Sequence, residues 1–178
     1  RLFTAQVGLR RDAYPEAADW NRLFQELLLR LGALPGVEAA AASSSLPGLA
    51  ANASRFRLRD GTYPRDADLP LTRISMVTPE YFRALGVAAV EGRLFDLGDD
   101  ADREPVVIVN RSFAQRFFPG ESPLGQQILT GDLDSQDAWA TVVGVVPDMR
   151  MNGTDAGRPD GILLPLYQRP QRSINLIL

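Results

Sequence analysis

Apolar residues in this chain recur at two different periods, and the period changes from segment to segment. Trp20, Leu23, Phe24, Leu27, Leu28, Leu31 and Leu34 are spaced by threes and fours, which predicts one apolar stripe on a helix of about five turns. Tyr14-Pro15-Glu16 predicts its start, because proline suits a first helical turn, and Gly32 with Pro35-Gly36 predicts its end. The partly alternating Leu2, Phe3, Ala5, Val7 and Leu9 before it, and the small apolar run 37–45 after it, read as strands. Strand, long helix and strand make a β-α-β unit whose helix must lie on a sheet.

Beyond the loop 47–54 the period is two. Arg55-Phe56-Arg57-Leu58-Arg59 alternates strictly, so Phe56 and Leu58 share one face of a strand and Arg55, Arg57 and Arg59 the other. A polar connection, 60–70, leads to a strand at 71–77. Thr78-Pro79-Glu80 then reads as a helix start with Thr78 as the capping side chain, and Gly86 closes the short helix carrying Tyr81, Phe82 and Leu85. A strand-like run, 87–95, contains Gly92-Arg93. Residues 106–109 form an apolar strand, and Asn110 is placed to cap a helix carrying Phe113, Phe117 and Phe118 that Pro119-Gly120 ends. Ile128-Leu129 and 138–146 predict a hairpin, and 161–168 and 173–178 two last strands.

Composition narrows the chemistry. The 178 residues include no histidine and no cysteine, and all 19 basic residues are arginine. That excludes histidine-based nucleophile pairs, lysine Schiff bases, a phosphate-loop lysine and the usual ligands of zinc and iron. A net charge of −3 gives no electrostatic footprint for nucleic acid. No apolar run approaches the roughly 20 residues that span a bilayer. The chain opens on Arg1 and starts and stops within strand-like stretches, so it reads as a piece of a longer protein, which leaves room for membrane anchors just outside it.

The remaining chemistry is carboxylate chemistry or hard-cation binding. Asp96, Asp99, Asp100 and Asp102 crowd one loop, but without the spacing or closing glutamate of an EF-hand, and a solvated acidic turn is the expectation. Glu80, Glu91, Glu104 and Glu121 are scattered through capping and loop contexts. Ser43-Ser44-Ser45 has no base and no nucleophile elbow. The arginine face of Arg55, Arg57 and Arg59 is a candidate contact for lipid headgroups or an acidic partner, weighed against a plain solvated strand face. Asn52, Asn110 and Asn152 sit in three-residue sequons and are expected to be unmodified.

Several phrases, in this order, carry a resemblance. They are Leu34-Pro35-Gly36-Val37, the run from Val77 through Pro79, Tyr81 and Phe82 to Gly86-Val87, and Glu91-Gly92-Arg93-Leu94-Phe95. Val107-Ile108-Val109-Asn110 and the run Phe117-Phe118-Pro119-Gly120 to Gly125 follow, then Val142-Val143-Gly144-Val145-Val146-Pro147-Asp148-Met149-Arg150 and Leu164-Pro165. Together they resemble the extracytoplasmic core domain of MacB-type, FtsX-like ABC transporter permeases. The resemblance implies an α+β fold of two lobes. Residues 1–78 plus 152–178 would form a porter-like lobe and 79–151 an inserted smaller lobe, with both ends turned toward one membrane surface. It also implies a non-catalytic domain without cofactor or metal on the outer face of the cell membrane, periplasmic in a Gram-negative source. Its partners would be its own chain's transmembrane helices, a second permease copy, a cytoplasmic ATP-hydrolysing domain acting through the membrane part, and in some members a periplasmic adaptor. The motif residues read as fold determinants. Two rivals stand beside this: a stand-alone binding module, calcium-dependent through the acidic loop, and a hydrolase built on paired carboxylates.

Overall fold

Helix α1 (Ala17–Gly32) buries the expected stripe, with Phe24 and Leu28 in the core and Trp20, Leu27 and Leu31 packed half-buried beside them. It begins later than proline suggested, with extended backbone at Glu16 and no side-chain cap, and Leu34 lies beyond its end in solvent. In the computed structural model the described residues are 2–10, 12–46, 48–49, 51–149 and 160–178.

Within them the chain forms β1 (Thr4–Gly8), α1, β2 (Ala41–Ser43), β3 (Asn52–Leu58), a short 3-10 turn, β4 (Leu71–Val77), α2 (Glu80–Ala84), β5 (Glu91–Gly92), β6 (Val106–Asn110), α3 (Arg111–Phe117), β7 (Gln127–Thr130), β8 (Ala140–Val146), β9 (Gly161–Pro165) and β10 (Ser173–Ile177). The class is α+β, with the strands joined in one ten-stranded sheet. The run 37–45 shortens to the three residues of β2, and 87–95 to the two of β5, because only those stretches find a ladder partner.

The sheet has two parts. One is a closed circuit. β4 pairs antiparallel with β3, β3 with β7, and β7 with β8; β8 runs parallel to β6, β6 antiparallel to β9, and β9 returns parallel to β4. Each of those six strands sends a side chain into one cluster: Phe56, Ile74, Val107, Ile128, Val142 and Ile162. That cluster is therefore the interior of the circuit, and Phe113 of α3 joins it fully buried. The Phe56, Phe113 and Phe117 rings lie 4.7–5.0 Å apart between centroids. Each fully buried phenylalanine is worth roughly 1.5–3 kcal/mol in transfer free energy. The outward neighbours on the same strands, Ile108 and Leu163, are buried too, under Tyr81, Phe82 and Phe95. Strands covered on both faces read as continuous apolar runs, which is the composition of β6 and β9.

The other part is an open arm in the order β2, β10, β1, all antiparallel, carrying α1 on one face. It joins the circuit through β2, where Ser43 pairs with Val77 of β4. At its far edge β1 and β10 run side by side, and Phe3 and Leu178 exchange two backbone hydrogen bonds of 2.9 and 3.0 Å.

Candidate functional site

Thr78 does not cap α2. Its hydroxyl instead accepts from the Ala42 amide at 3.0 Å, tying the end of β4 to β2, and the helix starts on Pro79 and Glu80. Gly86 takes φ +65° and stops α2 as expected. Asn110 caps α3, accepting from the Phe113 amide at 3.0 Å, and also accepts from the Gly161 amide at 2.9 Å, so one buried side chain fixes both a helix start and β9. Pro119 follows α3, and Gly120 and Gly125 turn the chain at φ +79° and +80° toward β7. Asn152, Arg150 and the proposed lobe boundary at 151 and 152 lie outside the described residues.

The glycines of the Gly92-Arg93 and Val-Val-Gly-Val-Val phrases face each other as paired residues of β5 and β8. A Cβ on Gly144 would sit 2.1 Å from the Arg93 carbonyl oxygen, and one on Gly92, at φ +68°, 2.2 Å from that of Val143. Neither strand has room for a side chain at the crossing. Arg93 then turns back as a two-pronged donor, both bonds 2.7 Å, onto the carboxylate of Asp99, which also accepts from the Asp96 amide. Burial by itself would raise the Asp99 carboxyl, but the Arg93 hydrogen bonds, the Asp96 amide and the Arg93 charge outweigh it and hold the carboxyl below its ordinary value. The expected solvated acidic turn is corrected here: Asp96 and Asp102 are exposed, whereas Asp99 is buried and spent on arginine. Among the described residues no group of acidic side chains is arranged to hold a metal ion.

Arg55, Arg57 and Arg59 do share a face, with Phe56 buried on the other. Arg55 pairs with Asp132, Arg57 donates to the Leu133 carbonyl, and Arg59 donates to Gln127. The guanidinium groups of Arg57 and Arg59 both lie over Trp139, 5.6 and 5.5 Å from the ring centre. Tandem guanidinium–aromatic contacts fix the 130–139 loop against β3. The aromatic partner was not legible beforehand, since Trp139 lies 80 residues away in a loop.

The serines at 43–45 form a polar seam at the junction of arm and circuit. Ser45 donates to Ser75 at 2.9 Å, Ser44 accepts from the Met76 amide, and Asn175 reaches the Ser43 and Ser44 carbonyls. Trp20 donates to the Tyr14 carbonyl and lies under Arg172, so it is engaged within the chain.

A groove of about 750 Å³ separates α1 from α2, lined by Leu28 and Leu29 on one side, Glu80 and Arg83 on the other, with Leu97 and Tyr167. Leu29 and Leu97 are largely exposed. Burial and the charge of Glu80 push the Tyr167 hydroxyl above its ordinary range. Leu29 stands off the buried stripe of α1, and that departure from the helical period is the signal by which the groove could have been found.

None of these features assembles a nucleophile with a base. What the described residues do assemble is a closed six-strand circuit, an arm that brings Phe3 and Leu178 together, and a close crossing of β5 and β8 at two glycines. The profile of the MacB-like periplasmic core domain matches residues 1–177, and the chain belongs to that family. Over 86 residues it is 37% identical to the macrolide export ATP-binding/permease protein MacB 1 of Aeromonas hydrophila, a stretch of 48% of this chain and 12% of that protein. The periplasmic region of MacB from Actinobacillus actinomycetemcomitans shares the fold with a TM-score of 0.59 at 15% identity, over 85% of this chain and 63% of that one. The extracellular domain of the ABC-type transporter YknZ from Gram-positive bacteria does so with 0.59 at 14%, over 100% and 83%. Among the described residues no helix is long and apolar enough to cross a membrane.

Proposed function

We propose that this chain is the extracytoplasmic part of an ABC transporter permease subunit, working without chemistry of its own. It would carry conformational change driven by ATP hydrolysis in a separate cytoplasmic domain to export, or to other work, on the far side of the membrane. The observation that carries this reading is the adjacency of Phe3 and Leu178, whose mutual backbone hydrogen bonds send both ends out at one pole. A domain tied at one pole by two neighbouring strands moves with whatever pulls on those strands. We further propose that 1–78 with 152–178 and 79–151 act as two lobes sharing one sheet. β3 and β9 of the first are laddered to β7 and β6 of the second, so force would pass between the lobes along hydrogen-bonded strands. A second permease copy and, in a Gram-negative source, an adaptor are the partners this reading calls for.

The test uses the parent permease with its nucleotide-binding domain in proteoliposomes. Replacing residues 3–178 by a short glycine–serine linker should leave ATP hydrolysis measurable and abolish ATP-driven export. Export that persists without the domain would refute the reading.

A further inference from the structure

Among the described residues, β1 ends the strand order of the arm and pairs on one side only, with β10. Within the ladder to β10, Phe3 pairs with Leu178 through both backbone bonds, and Leu9 donates to Arg172. Antiparallel pairs alternate, so Ala5 and Val7 also bond inward, and the amides and carbonyls of Thr4, Gln6 and Gly8 point away from the sheet. Among the described residues nothing bonds to them. Among the described residues every other strand except the two-residue β5 has neighbours on both sides: six close into the circuit, and β2 and β10 lie within the arm. Sheet proteins blunt a free edge with lysine, proline, a bulge or an inward charge. Thr4-Ala5-Gln6-Val7-Gly8 has none of these, and its register against β10 is unbroken.

We propose that β1 accepts an extended strand from another polypeptide, which joins the arm as a further strand. The side chains define that segment. Ala5 and Val7, on the face that packs into the α1 cluster, stay only half-buried, as do Leu27 and Leu31 of the helix. Thr4, Gln6 and Gly8 on the other face are exposed and uncharged. The incoming strand therefore alternates apolar residues, toward α1, with small polar ones. A second copy of β1 has that alternation, but antiparallel pairing of two copies would point their chain ends in opposite directions. That exclusion rests on the proposed single membrane for both ends; the free edge itself does not.

The test uses the 178-residue chain and a fluorescein-labelled peptide of alternating threonine and valine, with a control N-methylated at every threonine amide, the amides that would face β1. Binding is read by anisotropy and by amide exchange. The peptide should slow exchange at Thr4, Gln6 and Gly8 and leave Ala5 and Val7, already protected, unchanged. Gly8→Lys and Gln6→Pro should each weaken binding by about tenfold or more. Lysine fits at Gly8, where a Cβ meets only Ser173 Oγ at 3.9 Å, and the proline removes an outward amide only, so both variants should keep the wild-type fold by circular dichroism. Absence of peptide binding, equal binding of the N-methylated peptide, or protection appearing along the α1–α2 groove would overturn the proposal. A chain dimer in sedimentation that Gly8→Lys disperses would assign the edge to a second copy and overturn the choice of partner.

Discussion

The circuit and the arm are built from the same kind of strand and buried to different degrees. All five residues of β6 and all five of β9 are buried, whereas β1 alternates exposed and half-buried positions along its length. The circuit closes on itself, so each strand is held from both sides and its interior is sealed by α3. The arm hangs from β4 through a three-residue strand, with α1 on one face and only Ala41 and Ile177 joining the buried cluster of Tyr81 and Phe82 on the other. Closure makes the first part a fixed body; an open edge leaves the second able to gain or lose a neighbour. Local opening should follow the same division, because regions with few buried contacts unfold below the global free energy.

The largest test of that difference is a matched pair of truncations. Phe56 and Phe24 are both fully buried, one in the circuit and one under α1. Each substitution by alanine should cost about 3–5 kcal/mol at its site. Phe56→Ala should lower the midpoint of chemical unfolding for the whole domain and speed exchange everywhere. Phe24→Ala should speed exchange mainly in β1, β10 and α1. Equal acceleration in β6 and β9 by both variants would show that the parts unfold as one unit.

Gly144→Ala comes next. With the Arg93 carbonyl 2.1 Å from the new Cβ, β5 must leave β8, at a cost of roughly 1–3 kcal/mol in urea unfolding. A neutral result would mean that the crossing is looser than its geometry.

Asp99→Asn is smaller, about 1–2 kcal/mol, since Arg93 is half exposed and solvent screens the pair. The Asp99 carboxyl is held below its ordinary value in the folded state. Its contribution is therefore complete above the unfolded pKa of about 3.9 and is lost as pH falls through the lower folded value. The stability gap between wild type and Asp99→Asn should narrow below about pH 4. A gap unchanged into acid would place the effect elsewhere.

Gly8→Lys should change stability least, within about 0.5 kcal/mol by thermal melting, because the edge touches nothing across from it. A larger loss would mean that the arm's edge is not free.

What could be read from residue order alone follows the reach of each interaction. The α1 stripe, the Asn110 cap, the Gly86 stop and the pairing of β7 with β8 all depend on residues near one another in sequence. The β4–β9 pairing joins residues 88 apart, Arg73 with Gly161 and Ile74 with Ile162, and no local period encodes it. Thr78 failed as a cap because a partner 36 residues upstream, Ala42, competed for its hydroxyl. Asp99 looked like its acidic neighbours because burial is a property of the assembled loop and Arg93. The family phrases located Gly92 and Gly144, and glycine within a strand already signals close backbone approach; that the two positions face each other is set by the pairing of β5 with β8. The groove and the bare β1 edge are likewise surfaces that exist only once distant segments have packed.

The Phe3–Leu178 pair also makes the domain portable. Two stubs separated by one strand spacing, about 5 Å, match the gap across the closing residues of an ordinary hairpin turn. Grafted there, the domain asks its host to open no wider than the loop it replaces, so such a cassette can be gained or exchanged without the surrounding architecture being redrawn.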